Sequence, residues 1–532
     1  MKKTEHQIAT IFNNVMGPIG VGPSTSNTCG PCRLAYLGGK TVRGNLKEAE
    51  VVFPADGGFS SSNGTGMRSD YAFAHGLLGR LPDDGAPLLS AFADMKDRGI
   101  GLRFIVDPEM DSRGEHLIAK LRLTDDAGET TEMLGLSKGG GVIELISLDG
   151  FEVSIGGETN LLLVWTDEKN APVIAELLKE KYAALHEYPC TVASDGDRRL
   201  LLFPTYRLAE KEFLTEIGGL DGVSRVCALP AIMPLVVRAG ARPPFGDARD
   251  LEAYCERNGK TLSRAAVDYE TEVGGWTEER VKAFVDGAFQ AMENAIRGGM
   301  DARLRYDGIT SPLASQLFRV YGENGSPISD GIVTRAALYS LAIMEYSNAS
   351  GVVVCMPTAG ASGTIGGVLT AAAESLGSSR EQVIDALLAA GAIGVSISED
   401  NDFCGGVYGC QAEVGCASAM AAGALTVLAG GTTGQAMNAA SMALQNMLGL
   451  ICDPVCGLVQ VPCFSRNMGG IANAVVCANM SLLGFDGVMH LQDAFEAMKS
   501  SGRCFPTGLK GCGGGLCDTP TGRELLARFS KA

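Results

Sequence analysis

The chain has 532 residues, 46% apolar and 20% charged, a globular composition long enough for several domains. A formal net charge of −17 without Lys/Arg runs excludes nucleic acid and anionic membrane surfaces as expected partners. The first 25 residues lack the charged-then-apolar order of a signal peptide, which predicts a cytoplasmic protein. In that reducing setting the 16 cysteines read as metal ligands, buried thiols or catalytic groups rather than disulfides; eleven lie at or after Cys355.

Residues 1–150 mix short apolar runs with Gly-rich turns and read as an α/β domain. Residues 151–236 have a regular rhythm. Asn160–Thr166 predicts a strand, Val173–Leu185 a helix, Arg199–Pro204 a strand, Glu210–Ile217 a helix and Ser224–Leu229 a strand. That order suits a small ferredoxin-like α+β module, and Arg242-Pro243-Pro244 makes a linker after it. From 245 to 532 helical periodicity dominates and predicts an all-α domain. Val281, Phe284, Val285, Phe289, Met292 and Ile296 form one apolar stripe behind a Thr277 cap. Ser378 with Glu381 predicts a capping box for the helix that carries Val383 and Leu387.

The stretch 414–452 is long and uncharged enough to raise a membrane span. Its Ala, Gly, Ser, Asn and Gln, broken by Gly430-Gly431-Thr432-Thr433-Gly434, instead predict close helix packing inside a large helical domain.

From Val414 to Phe485 the only carboxylate or guanidinium groups are Asp453 and Arg466. The first follows Cys452 and the second lies three residues beyond Cys463, with Cys410 just upstream. Charges retained in so apolar a segment need a partner or a task. The spacings, 42 and 11 residues, differ from the compact runs of zinc ribbons and bacterial ferredoxins, so spacing alone leaves buried structural thiols open. Three thiolates suit a [4Fe–4S] cluster with one iron left free to act as a Lewis acid. Arg466 matches a substrate carboxylate, or pairs with Asp453 for packing. Asp453 reads as an orienting neighbour of the ligands.

The segments GCQAEVG around Cys410, GLICDP around Cys452 and VQVPCFSRN around Cys463 resemble the cluster motifs of the iron–sulfur-dependent L-serine dehydratase family. Ser350–Leu369 is similar to the family's substrate loop, here Pro357-Thr358-Ala359-Gly360. Gly20–Gly30 (GVGPSTSNTCG) resembles its β-domain loop, and Gly139–Val153 the segment leading into its ACT-like module. The resemblance implies three parts: a β-like domain over 1–150, an ACT-like regulatory module over 151–236 and a catalytic α domain over 245–532. It implies Cys410, Cys452 and Cys463 as ligands of a [4Fe–4S] cluster. It also implies Ser24, Thr25, Ser26, Asn27, Thr28, Thr358, Ala359 and Gly360 as substrate contacts. Without the family, the polar loop 22–28 reads equally as a turn or helix cap.

Three departures stand out. Asn27 replaces a His of the family loop, and Cys404-Gly405-Gly406-Val407 replaces S-G-A-E before the first cluster cysteine. The C-terminus is Phe529-Ser530-Lys531-Ala532 rather than the terminal cysteine of single-chain relatives, which leaves Cys504, Cys512 and Cys517 as candidate additional ligands. No catalytic base can be named, and the five histidines lie outside the motifs. The resemblance implies a cytoplasmic homodimer that deaminates L-serine to pyruvate and ammonia without pyridoxal phosphate, with an amino-acid effector at the ACT-like module. The alternatives are a cluster-dependent dehydratase or C–S lyase acting on another small hydroxy acid or L-cysteine, and an amino-acid- or oxygen-sensing binding protein.

Overall fold

The computed structural model describes residues 8–62, 67–182, 190–205, 207–238, 240–328, 331–398, 403–511 and 513–529. It divides into two units, Ser26–Gly240 and Met1–Thr25 with Ala241–Ala532.

The short strand β1 (Ile19–Val21) opens the chain's sheets and belongs to the second of these units. In the unit Ser26–Gly240, strands β2 (Leu46–Pro54), β3 (Gly101–Asp107), β4 (Ile118–Asp125), β5 (Thr130–Gly139), β6 (Val142–Leu148) and β7 (Phe151–Ile155) form a sheet of order β3-β2-β4-β5-β6-β7. Only β2 and β3 run parallel; short helices, Ser69–Leu77 and Ala91–Asp97 among them, make the crossover between them. Phe53, Phe59 and Phe73 pack ring on ring behind this sheet. Helix Cys29–Thr41 buries Leu34 and Leu37 in the same core. Gly30 lets that helix close on the sheet, because a Cβ there would strike the Ser137 hydroxyl.

The same unit holds strands β8 (Asn160–Asp167), β9 (Thr191–Asp195), β10 (Arg198–Thr205) and β11 (Arg225–Leu229), with helix Ala171–Tyr182 after β8 and helix Lys211–Gly218 after β10. The order β11-β8-β10-β9, antiparallel throughout, is that of a β-α-β-β-α-β ferredoxin-like module. Leu162, Val164, Leu201 and Phe203 face the two helices, while Leu161, Leu163, Trp165 and Leu200 join the core of the larger sheet. With both faces covered, β8 reads as an unbroken apolar run. The rhythm predicted from sequence omits one strand, β9. It is a polar edge strand in which only Ala193 is buried, so it carries almost no periodic signal.

The other unit is helical, with a small addition to the predicted all-α domain. β1 pairs antiparallel with β12 (Val352–Val354), fixing the first described residues to the helices. The turn Ile11–Val15, capped by Thr10, buries Ile11 and Phe12, and Phe12 lies 4.3 Å from the Phe284 ring. Helix Glu278–Gly299 carries the predicted stripe and the Thr277 cap. The capping box shifts by one residue: Ser379 with Gln382 closes it, and the helix is Arg380–Ser396. Two overlapping Ser-x-x-acid/amide patterns compete there, and the backbone of Ser379 takes the extended conformation a cap requires.

Helix Cys416–Leu428 is buried on nearly every side, packed by helices Ser362–Leu376, Arg380–Ser396, Thr433–Gln445 and Cys463–Leu482. The stretch Gln411–Leu428 is long and apolar enough to cross a membrane, but 89% of it is buried within the unit. It is a core helix of small residues, as predicted.

Candidate functional site

Cys410 stands immediately before the π-helical turn Gln411–Gly415, which runs into the central helix. Cys463 is the first residue of helix Cys463–Leu482. Cys452 lies in the extended connection between, its N–H donating to Leu509 O at 2.9 Å and its carbonyl accepting from Gly511 N at 2.6 Å. Two of the thiols therefore sit at helix N-termini, where the unpaired N–H groups favour a thiolate.

Cys410 is 5% exposed and the other two are half-buried. Burial pushes the Cys410 thiol up to about 12 and those of Cys452 and Cys463 well above their usual value. Glu413 and the neighbouring thiols add to the rise in Cys452 and Cys463. These thiols raise one another, and ionising all three calls for more positive charge than the neighbouring Arg466, which lowers Cys410 and Cys463, supplies. A thiolate-held cluster of iron brings that charge, so the donor set fits one. Among the described residues no three His, Cys, Asp or Glu side chains surround the position of a single metal ion. A four-iron cluster takes its thiolates at separate corners, so its ligands stand farther apart than those of one ion.

The two isolated charges meet. Arg466 Nη2 lies 2.8 Å from Asp453 Oδ1, and Nη1 donates to Ile451 O at 2.8 Å. Asp453 is 2% exposed and its Oδ2 accepts from Leu516 N at 3.0 Å. The packing pair weighed in the sequence is therefore present, and it also ties down the C-terminal tail.

The structure adds three residues that sequence reasoning did not assign. Glu413 is half-buried, and Thr358 Oγ1 donates to its Oε1 at 2.8 Å. Burial raises its carboxyl above the usual range, opposed by the Thr358 bond and by Arg466. Gly405 gives it room, since a Cβ there would meet Glu413 Oε2. Asn467 Nδ2 donates to Gly360 O at 2.7 Å and to Cys463 O at 2.9 Å, and its Oδ1 accepts from Thr364. Thr358, Ala359 and Gly360 are thus joined to two cysteine segments through Glu413 and Asn467. Cys404, raised to about 11 by burial and then by Glu413, is a fourth thiol whose charge acts on Cys452. The available signals were positional: Glu413 is three residues from Cys410 and Asn467 four from Cys463, both one helical turn away.

Cys504 is exposed, Cys517 donates to Pro454 O at 3.3 Å, and Cys512 lies outside the described residues. His490 caps helix Leu491–Arg503 and pairs with Glu252 at 3.0 Å. In the loop Ser24–Thr28, Thr25, Asn27 and Thr28 are buried while Ser24 and Ser26 are half-buried, and the division between the units falls after Thr25. Thr28 stands at the start of helix Cys29–Thr41 without capping it through its side chain.

A family model described as serine dehydratase alpha chain matches residues 173–517. The chain belongs to the serine dehydratase alpha chain family. It is 38% identical over 282 residues to a probable L-serine dehydratase alpha chain of Bacillus subtilis, which spans 53% of this chain and 94% of that one. It is 28% identical over 502 residues to an L-serine dehydratase of Streptomyces coelicolor, covering 91% and 93%. It is 27% identical over 480 residues to one of Haemophilus influenzae, covering 88% and 89%. The family match contains every residue of the cysteine site and of the Thr358–Gly360 loop, whereas Ser24–Thr28 precede it. Val407, at a position of departure from the family motif, is 46% exposed.

Proposed function

We propose that this serine dehydratase family chain is a lyase that deaminates L-serine to pyruvate and ammonia, with a [4Fe–4S] cluster held by Cys410, Cys452 and Cys463. The observation that carries the reading is the junction of the substrate loop with the cysteine segments through Glu413 and Asn467. When bound, the cluster supplies an open iron as Lewis acid toward the β-hydroxyl of the substrate.

The chain's own residues do the rest. Glu413, held by Thr358 and raised by burial, would take and hold the proton from the substrate's α-carbon. Arg466 is held by Ile451 O, by its ion pair with Asp453 and by the Cys410 thiol, and its remaining N–H donors would take the substrate carboxylate. The hydroxyls of Ser24, Thr25, Ser26 and Thr28, with Asn27, are proposed as further substrate contacts. Loss of the hydroxyl and the α-proton as water leaves an enamine, which tautomerises and is hydrolysed to the products. The ferredoxin-like order of β8–β11 supports an ACT-like module that takes an amino-acid effector.

Anaerobic purification, iron and sulfide analysis and a pyruvate assay on L-serine test the reading. Iron-free protein with full, air-stable activity would overturn it. Asn27, buried where the family loop carries His, is the reason to assay L-cysteine and hydroxy acids alongside. Ligand binding without turnover on any of them would leave a sensor instead.

A further inference from the structure

The tail of the chain lies along the segment that carries Cys452. Leu509 O and Gly511 N bond the main chain of Cys452, and Leu516 N donates to Asp453 Oδ2 at 3.0 Å. The tail then turns through Gly515–Asp518 into helix Pro520–Phe529, which packs on that turn and on the turn Val455–Gly457. Each turn carries one thiol, Cys517 in the first and Cys456 in the second, and both are half-buried.

Two independent observations join these thiols. The Cys517 sulfur rests on the main chain leading into Cys456, 3.3 Å from Pro454 O and 3.9 Å from Asp453 O, and both the Cys456 thiol and its N–H act on it. Disulfides join residues whose Cα atoms are about 4.4–6.8 Å apart, so a sulfur resting against its partner's main chain is within reach of one. The second observation is the backbone of Cys456, at φ 58° in the left-handed region, where a side chain is strained and glycine is not. A thiol kept where glycine costs less calls for a task.

We infer that Cys456 and Cys517 are a thiol–disulfide pair, closed by a small-molecule disulfide and opened by the corresponding thiol, that clasps the tail to the segment carrying Cys452. Arg528, on helix Pro520–Phe529, works against the burial that raises Cys456, which marks Cys456 as the first nucleophile. Its thiolate attacks one sulfur of the small disulfide and releases the first small thiolate. The Cys517 thiolate then attacks the Cys456 sulfur of the mixed disulfide and releases the second. Two protein thiols are oxidised, one small disulfide is reduced to two thiols, and the two protein protons pass to the released thiolates.

The test uses the anaerobically purified full chain, equilibrated with mixtures of oxidised and reduced glutathione, quenched with an alkylating agent, digested and read by mass spectrometry. A peptide pair joined through Cys456 and Cys517 should accumulate as the oxidised fraction rises and vanish with excess reduced glutathione. In the oxidised protein, amide hydrogen exchange at Gly511 and Leu516 should slow by about tenfold or more, because the closed loop restrains the opened tail. Cys456→Gly should remove both effects with a melting temperature at or above the parent's, since glycine suits φ 58°. The inference is overturned if no joined pair appears at any ratio, or if each sulfur carries its own glutathione instead. It is also overturned if the pair forms and exchange at Gly511 and Leu516 is unchanged.

Discussion

Cys410, Cys452 and Cys463 differ from the other cysteines in what surrounds them rather than in burial alone. Cys416 is fully buried in the central helix and outside the matched motif positions, so it acts as a small apolar side chain. Alanine at any of the three should remove iron and activity together, and alanine at Cys416 should keep both; iron content of anaerobic preparations reads the difference. Glu413→Gln keeps the size of the side chain and its contact with Thr358 while removing the proton acceptor. It should lower kcat about 10²- to 10⁴-fold with iron content unchanged. Arg466→Lys keeps one charge but cannot reach both Ile451 O and Asp453. It should destabilise the fold by about 1–3 kcal/mol, well below the 3–5 kcal/mol of full removal, because the charge stays and the pair keeps some exposure. A melting curve measures that loss. A rise in KM in the same preparation, with iron retained, shows substrate anchoring beside the structural role.

At the scale of elements, small residues set the spacing of the helices. Gly299 ends helix Glu278–Gly299 where it crosses helix Ile332–Asn348, and a Cβ there would run into the backbone of Ala342. A main-chain neighbour cannot swing away as a side chain can. Gly299→Ala should therefore destabilise the fold by about 1–3 kcal/mol, despite the better helix propensity of alanine, and a lower midpoint in chemical denaturation checks it. The cysteine motifs were legible at this scale because each is a run of consecutive residues next to an element boundary. The link of Thr358 to Glu413 spans 55 positions and that of Gly360 to Asn467 spans 107, and no local pattern records either.

For the whole chain, the N-terminal residues matter to the helical unit. Glu270 in helix Leu262–Gly274 is fully buried, and its Oε1 accepts from Ile11 N at 2.6 Å. Burial raises its carboxyl to about 8, while the bond from Ile11 works the other way. A carboxyl raised in the folded state holds a proton that the unfolded chain releases near pH 4.3. Between those values the folded chain binds more protons, so this group's contribution to stability falls as pH rises from about 4.3 to 8. Glu270→Gln should remove that slope and raise the melting temperature most at pH 8; an unchanged slope would show that Glu270 does not titrate in this range.

Sequence by itself determined the helical C-terminal part, the sheet-bearing part before it, and the three cysteines with their two isolated charges. Each is written in residues close along the chain: a 3.6-residue stripe, an alternating or wholly apolar run, a motif, a charge-free stretch. The family resemblance stood on the same consecutive residues, and the match over 173–517 bears it out. Tertiary structure alone decided that Asp453 and Arg466 pair, that Thr358 bonds Glu413 beside the thiols, and that β1 joins β12. It also decided the edge strand β9, which buries one residue and so leaves no periodicity to read. Contacts between residues dozens to hundreds of positions apart form only when packing brings their elements together, and a single sequence holds no local trace of that meeting.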